Sequence, residues 1–127
     1  MGQAKRPEVP EEWIERVDLI LRDLPGCLED HTAWTGARWR VAGATIAHIF
    51  GGHDQRFRIT FRATEDEVTA FQYMGEPYFV VGGNSVGMVI DPGTDWDEVA
   101  ESLLGSYLIQ APPTLAAQVE ATLPRPV

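Results

Sequence analysis

The order of periodicities along the chain predicts an α+β fold: an antiparallel β-sheet of about five strands with helices packed on one face. Three observations carry that expectation. Apolar residues recur every second position in several short segments. Those segments are joined by turns too short for a parallel crossover. Between and around them lie stretches whose apolar residues recur at helical spacing, each with one greasy face. The predicted order is helix, three strands, helix, two strands, helix, helix.

The first helix is expected over residues 10 to 24. Trp13, Val17, Ile20, Leu21 and Leu24 fall on one face, Glu11, Glu12 and Glu15 suit the positive end of the helix dipole, and Pro25-Gly26 stops it. Three strands follow. In GARWRVAG, Trp39 and Val41 alternate with Arg38 and Arg40; ATIAHIF follows Gly43, a natural hairpin position; and RFRITFR sets Phe57, Ile59 and Phe61 against Arg56, Arg58, Thr60 and Arg62. The FGGHDQ loop between the last two has the Gly and Asp that turns need.

TEDEVTAFQYMG switches back to helix. Thr64 with Glu67 three residues on makes a capping box, Gly75 suits the C-terminal end, and Val68, Phe71 and Met74 form the apolar face. PYFVV and SVGMVID are two further strands joined through Gly82-Gly83-Asn84. Asp91-Pro92-Gly93 turns the chain into DWDEVAESLLGSYL, with a buried stripe of Trp96, Val99, Leu103, Leu104 and Tyr107. A last helix after Pro112-Pro113 repeats Leu115, Val119 and Leu123. The 127 residues read as one domain, with 1–10 and 124–127 as loose termini.

Composition bounds the setting. The single cysteine, Cys27, has no internal partner, no apolar run is long enough for a membrane span, and the N-terminus lacks the apolar core of a secretion signal; a cytoplasmic protein with no membrane role is expected. The net charge is −9, yet residues 38 to 62 hold five of the ten basic groups and one acid, a balance of +4 that leaves −13 on the rest.

Several segments, in order, resemble the MmcQ/YjbR family of small bacterial proteins. They are LPG at 24–26 followed by Glu29, WRVAG at 39–43, GEPYF at 75–79, VGMVID at 86–91 and DWDEVAESL from Asp95. The Ser106-Tyr107 pair with Ala111-Pro112 completes the set. The resemblance runs from about Leu24 to Leu115. It implies an α+β fold with a helix-backed antiparallel sheet, and it brings the label DNA-binding that members often carry. The chain departs from the family at Pro113, where a basic residue is common, and in the hairpin Val81 to Ser85, where an aromatic or basic residue is common. Both departures remove groups that phosphate or base contacts would use.

The functional candidates follow from the strand alternation. Arg38, Arg40, Arg56, Arg58 and Arg62 all stand opposite the apolar positions and are expected on one sheet surface. Guanidinium forks match phosphate and carboxylate oxygens, so that surface is the candidate nucleic-acid- or anion-binding face. The competing reading is a solvated face, paired with acids elsewhere in the chain, or a protein-interaction face across a homodimer. His31, Trp34 and His48 are a candidate cleft. HIFGGH has no metal-ligand spacing, Cys27 lacks the context of a nucleophile, and Gly51-Gly52 and Gly82-Gly83 are not phosphate loops; no catalytic residue, metal or cofactor is expected. The expectation is a non-enzymatic binding protein whose partner is DNA or another phosphate-rich molecule.

Overall fold

The computed structural model describes residues 5–31 and 36–123. The elements run α1 (Glu11–Leu21), β1 (Cys27–His31), β2 (Ala37–Val41), β3 (Ala44–Gly51), β4 (Phe57–Arg62), α2 (Glu65–Met74), β5 (Tyr78–Gly82), β6 (Ser85–Ile90), α3 (Trp96–Gln110) and α4 (Pro113–Glu120). The six strands form one antiparallel sheet in the order β1-β2-β3-β4-β6-β5, with the four helices packed against it.

The sixth strand is β1, CLEDH, which the sequence reading missed. Its polar residues show no period-two apolar signal. It pairs on one side only, from Cys27 opposite Val41 to His31 opposite Ala37, and an edge strand can carry charges because one side of it faces water. The first helix also ends earlier than expected, at Leu21. Arg22 and Leu24 donate back to Asp18 and Leu21, and Pro25 disfavours helical backbone at the residue before it. Within the N-terminal stretch expected to be loose, Val9 is buried in the core and Arg6 Nη1 donates to the Gly51 carbonyl at 3.1 Å.

The remaining starts and stops follow local chemistry. Ala42 and Gly43, both at positive φ, turn β2 into β3. Thr64 Oγ1 accepts from the Glu67 N–H while the Glu67 carboxylate accepts from the Thr64 N–H, the expected capping box of α2. Asp95 caps α3 by accepting from the N–H groups of Asp97 and Glu98.

The core lies between the sheet and the helices. Trp39, Val41, Ile49 and Ile59 on the strands and Val99, Leu103 and Tyr107 on α3 are fully or almost fully buried. Polar groups at this layer are satisfied across elements. Trp39 Nε1 donates to Asp18 of α1 at 3.1 Å, and the Tyr107 hydroxyl donates to the Pro25 carbonyl at 2.7 Å. Ser106 is completely buried. Its Oγ accepts from the Arg62 N–H at 2.9 Å and donates to the Ile46 carbonyl at 2.6 Å, bridging β3 and β4 beyond the last pair of their ladder, Ala47–Phe61. The Ser106-Tyr107 pair therefore closes the fold. Met74, expected on the packed face of α2, is 58% exposed instead; Phe71 carries that contact, against Phe61 and Tyr78.

Candidate functional site

Among the described residues no helix covers the second face of the sheet. Alternation fixes its occupants, because Trp39, Ile49, Ile59, Met88 and Tyr78 point to the core and their neighbours point away. One row crosses the sheet as Asp30, Arg38, His48, Thr60, Gly87 and Phe79; a second runs Phe50, Arg58, Val89; and Arg40 stands opposite Leu28 near the β1 edge. Gly87 has a spatial reason. A Cβ there would overlap the Phe79 ring, so the missing side chain lets the ring lie down on the sheet. The guanidinium carbon of Arg58 is 5.9 Å from the centre of that ring, and His48 packs against Phe50 with ring centres 4.8 Å apart.

The arginines of this face are partly paired. Asp30 sits between two of them, with Oδ2 2.7 Å from Arg40 Nη2 and Oδ1 3.4 Å from Arg38 Nε. The second contact is an ion pair by distance but not a hydrogen bond by direction. Asp30 Oδ1 and Arg38 Nε are both shut off from water without a hydrogen-bond partner. Arg38 thus keeps an unspent donor although its side chain is 39% exposed. Arg58 makes a two-pronged contact with Asp54, Nη1 to Oδ1 at 2.9 Å and Nη2 to Oδ2. That hydrogen bonding holds the Asp54 carboxyl well below the usual carboxylate range and raises the Arg58 guanidinium further. His48 is shifted below its ordinary value, first by burial and then by Arg38 and Arg6, with Asp30 opposing.

The five predicted arginines do not form one cluster. Arg38 and Arg40 on β2 and Arg58 on β4 lie on the open face. Arg62 lies at the end of β4, beside Glu67 and Glu101 where a cleft of about 150 Å³ opens between α2 and α3. Arg56 precedes β4 and lines a different cleft, with Trp13 and Phe57. Neither Arg56 nor Arg62 makes an ion pair among the described residues. Of the candidate cleft, Trp34 and the His31 side chain lie outside the described residues, and His48 belongs to the open face.

Three contributors were missed in the sequence: Asp30, Phe50 and Phe79. Reading CLEDH as a strand would have placed Asp30 beside Arg38, and strict alternation along β3 already sets Phe50 on the arginine side. Burial, with Asp18 adding, pushes the Cys27 thiol up to about 11, which disfavours its thiolate. Among the described residues no cluster of three or more metal-ligating side chains occurs, and no helix is long and apolar enough to cross a membrane.

No protein-family model matches this chain, and no curated protein matches it in sequence. In fold it is similar to the crystal structure of protein DR2400 from Deinococcus radiodurans, a DUF419 domain. The TM-score is 0.65, covering 99% of this chain and 96% of that one at 16% identity. At that identity the likeness establishes the architecture alone.

Proposed function

We propose that this chain is a non-enzymatic, MmcQ/YjbR-like binding protein that receives a phosphate-bearing partner, a segment of single-stranded nucleic acid, on the open face of its sheet. One observation carries the reading: cations and rings interleave on a face with no helix over it. Arg58 stands between Phe50 and Phe79, and His48 lies between Arg38 and Thr60 on the adjoining row. Rings on a sheet offer stacking platforms, worth about 1–3 kcal/mol per base, and guanidinium groups beside them suit the phosphates. Sequence motifs and the likeness in fold to a DUF419 domain support the family assignment. A single, half-buried cysteine fits a cytoplasmic setting.

Asp30 and Asp54 temper the affinity, since phosphates must share or displace their arginines, and the net charge of −9 repels a polyanion elsewhere. Binding is therefore modest. With three phosphates engaged, log K falls against log salt with a slope of about −2, at roughly −0.7 per contact. The test is fluorescence anisotropy with a labelled oligo-dT at low salt. Saturable binding that weakens in Arg40→Ala/Arg58→Ala and in Phe79→Ala supports the proposal; no binding by the wild type at low salt removes it.

A second reading is favoured by the pre-paired arginines and by Leu28, 73% exposed beside Arg40. In it the same face meets a second copy of the chain. Sedimentation showing a concentration-dependent dimer that Arg40→Glu dissociates, with no oligonucleotide binding, would select it.

A further inference from the structure

The cleft that takes Arg56 lies apart from the middle of the open face and has the make-up of a small-molecule site. It is an open cleft of about 400 Å³ where the ends of β4 and β6 meet α1, with Trp13, Phe57, Ile90 and Pro92 as its apolar side and Gln55, Arg56 and Asp91 as its polar side. Trp13 and Phe57 meet edge to face, ring centres 5.1 Å apart and planes 89° to each other, which fixes both rings. The size is at the lower end of what drug-sized ligands occupy, roughly 300–1,000 Å³.

Two opposite charges flank this apolar side. Phe57 opposite Ile90 is the final pair of the β4–β6 ladder at this end, so Arg56 and Asp91 stand across from each other one step further on. They do not pair. Asp91 Oδ1 accepts from the Gly93 N–H at 2.8 Å, which anchors the turn, and Arg56 makes no ion pair among the described residues. The loop holding Arg56 is itself pinned. Its N–H donates to Asp54, its carbonyl accepts from the Gly52 N–H at 2.8 Å, and the neighbouring Gln55 amide donates to the Lys5 carbonyl at 2.8 Å. A fixed apolar side with an uncommitted guanidinium at its margin matches an amphiphile with a carboxylate at one end.

We propose that this cleft binds a small organic carboxylate with an aromatic or branched apolar body, the body on Trp13, Phe57 and Ile90 and the carboxylate on Arg56. Asp91 then decides between two sources of that chemistry: it favours a ligand that also carries an ammonium, such as an apolar amino acid, over a simple carboxylic acid. The site is independent of the nucleic-acid reading, because none of Arg38, Arg40 or Arg58 touches it.

The experiment is an amide and indole NMR titration of the full chain with 3-phenylpropionate, L-phenylalanine and the neutral 3-phenylpropionamide. Saturable shifts are expected at the Trp13 indole N–H and the amides of Phe57, Val89 and Ile90, half-complete near 1 mM as an order of magnitude for ligands this small. Arg56→Gln, an exposed change that leaves the fold intact, should weaken both carboxylates about tenfold or more and leave the amide unaffected. Asp91→Asn should weaken L-phenylalanine and spare 3-phenylpropionate if the amino acid is the better fit, and should affect neither if the simple acid is. Shifts confined to other surfaces, no saturation by either carboxylate, or equal binding by wild type and Arg56→Gln would each overturn the site.

Discussion

The two faces of this one sheet are made by the same strands, residue by residue in alternation, yet they obey different rules. On the helix side the buried polar groups have fixed partners: the Trp39 indole on Asp18, Ser106 on Arg62 and Ile46, and the Tyr107 hydroxyl on Pro25. On the open side charges outnumber fixed partners. Asp30 is shared by two arginines, and Arg38 Nε lacks a hydrogen bond. A buried group without water has no alternative partner and so is costly to disturb, whereas a half-exposed one can exchange its partner for a ligand. Stability therefore resides on one face and exchangeable ion pairs on the other, and substitutions on the two should separate cleanly.

The largest effect belongs to Trp39, fully buried at the centre of the helix side. Trp39→Ala should lower unfolding free energy by about 3–5 kcal/mol in urea melts, the usual cost of emptying a large aromatic site. A loss under about 1 kcal/mol would mean that the helices do not press on this face as described. Next comes Ser106→Ala, which leaves the Arg62 N–H and the Ile46 carbonyl without their bridge. A loss of about 1–3 kcal/mol is expected, far more than one hydroxyl costs at a surface.

The same two positions show how far the chain could be read without coordinates. Trp39 was assignable to the core because its neighbours alternate correctly over five residues, and all four helices were visible in their apolar spacing. Ser106 was visible as part of a family-like motif, but its task was not: it depends on β3 and β4 losing their direct ladder beyond Ala47 and Phe61, and a register shift lies in β3's other pairing between Trp39 and Arg40. Pairing of that kind is non-local. The open face divides in the same way. Alternation sets Arg38, Arg40 and Arg58 on the side of their strands away from the core, but the grouping of the arginines depends on strand neighbours. That is why Asp30, 8 residues before Arg38 in sequence, went unrecognised as its partner.

On the open face the expectation reverses. Arg58→Ala removes a partly exposed, salt-screened pair with Asp54, and such a change moves stability little. Oligonucleotide affinity should nevertheless fall several-fold in anisotropy titrations at low salt, with a shallower salt slope. If Arg58→Ala instead destabilised the chain as strongly as Ser106→Ala, the separation between the faces would be wrong. The Asp54→Asn variant sharpens the point. It frees Arg58 without removing it, so affinity should rise while stability stays nearly level.

The smallest and most diagnostic effect concerns pH, because one side chain should move stability and binding in opposite directions. Burial, then Arg38 and Arg6, lower the His48 pKa in the folded state. The unfolded chain takes up that proton near the ordinary histidine value of about 6.5, before the folded chain does. With more protons bound to the unfolded state, stability is full above that value and falls as the pH drops through the window down to the folded pKa, then levels off. His48→Gln should flatten this part of the curve, measured as the urea midpoint between about pH 7.5 and 5; Asp54, the other group shifted downward here, titrates below that window and leaves the comparison clean. Below the folded-state pKa a protonated His48 adds a cation between Arg38 and Thr60, so oligonucleotide affinity should rise there in the wild type and not in His48→Gln. Parallel stability curves for the two proteins would show that His48 is not the group under strain, and an unchanged affinity would place the ligand away from the central row of the sheet.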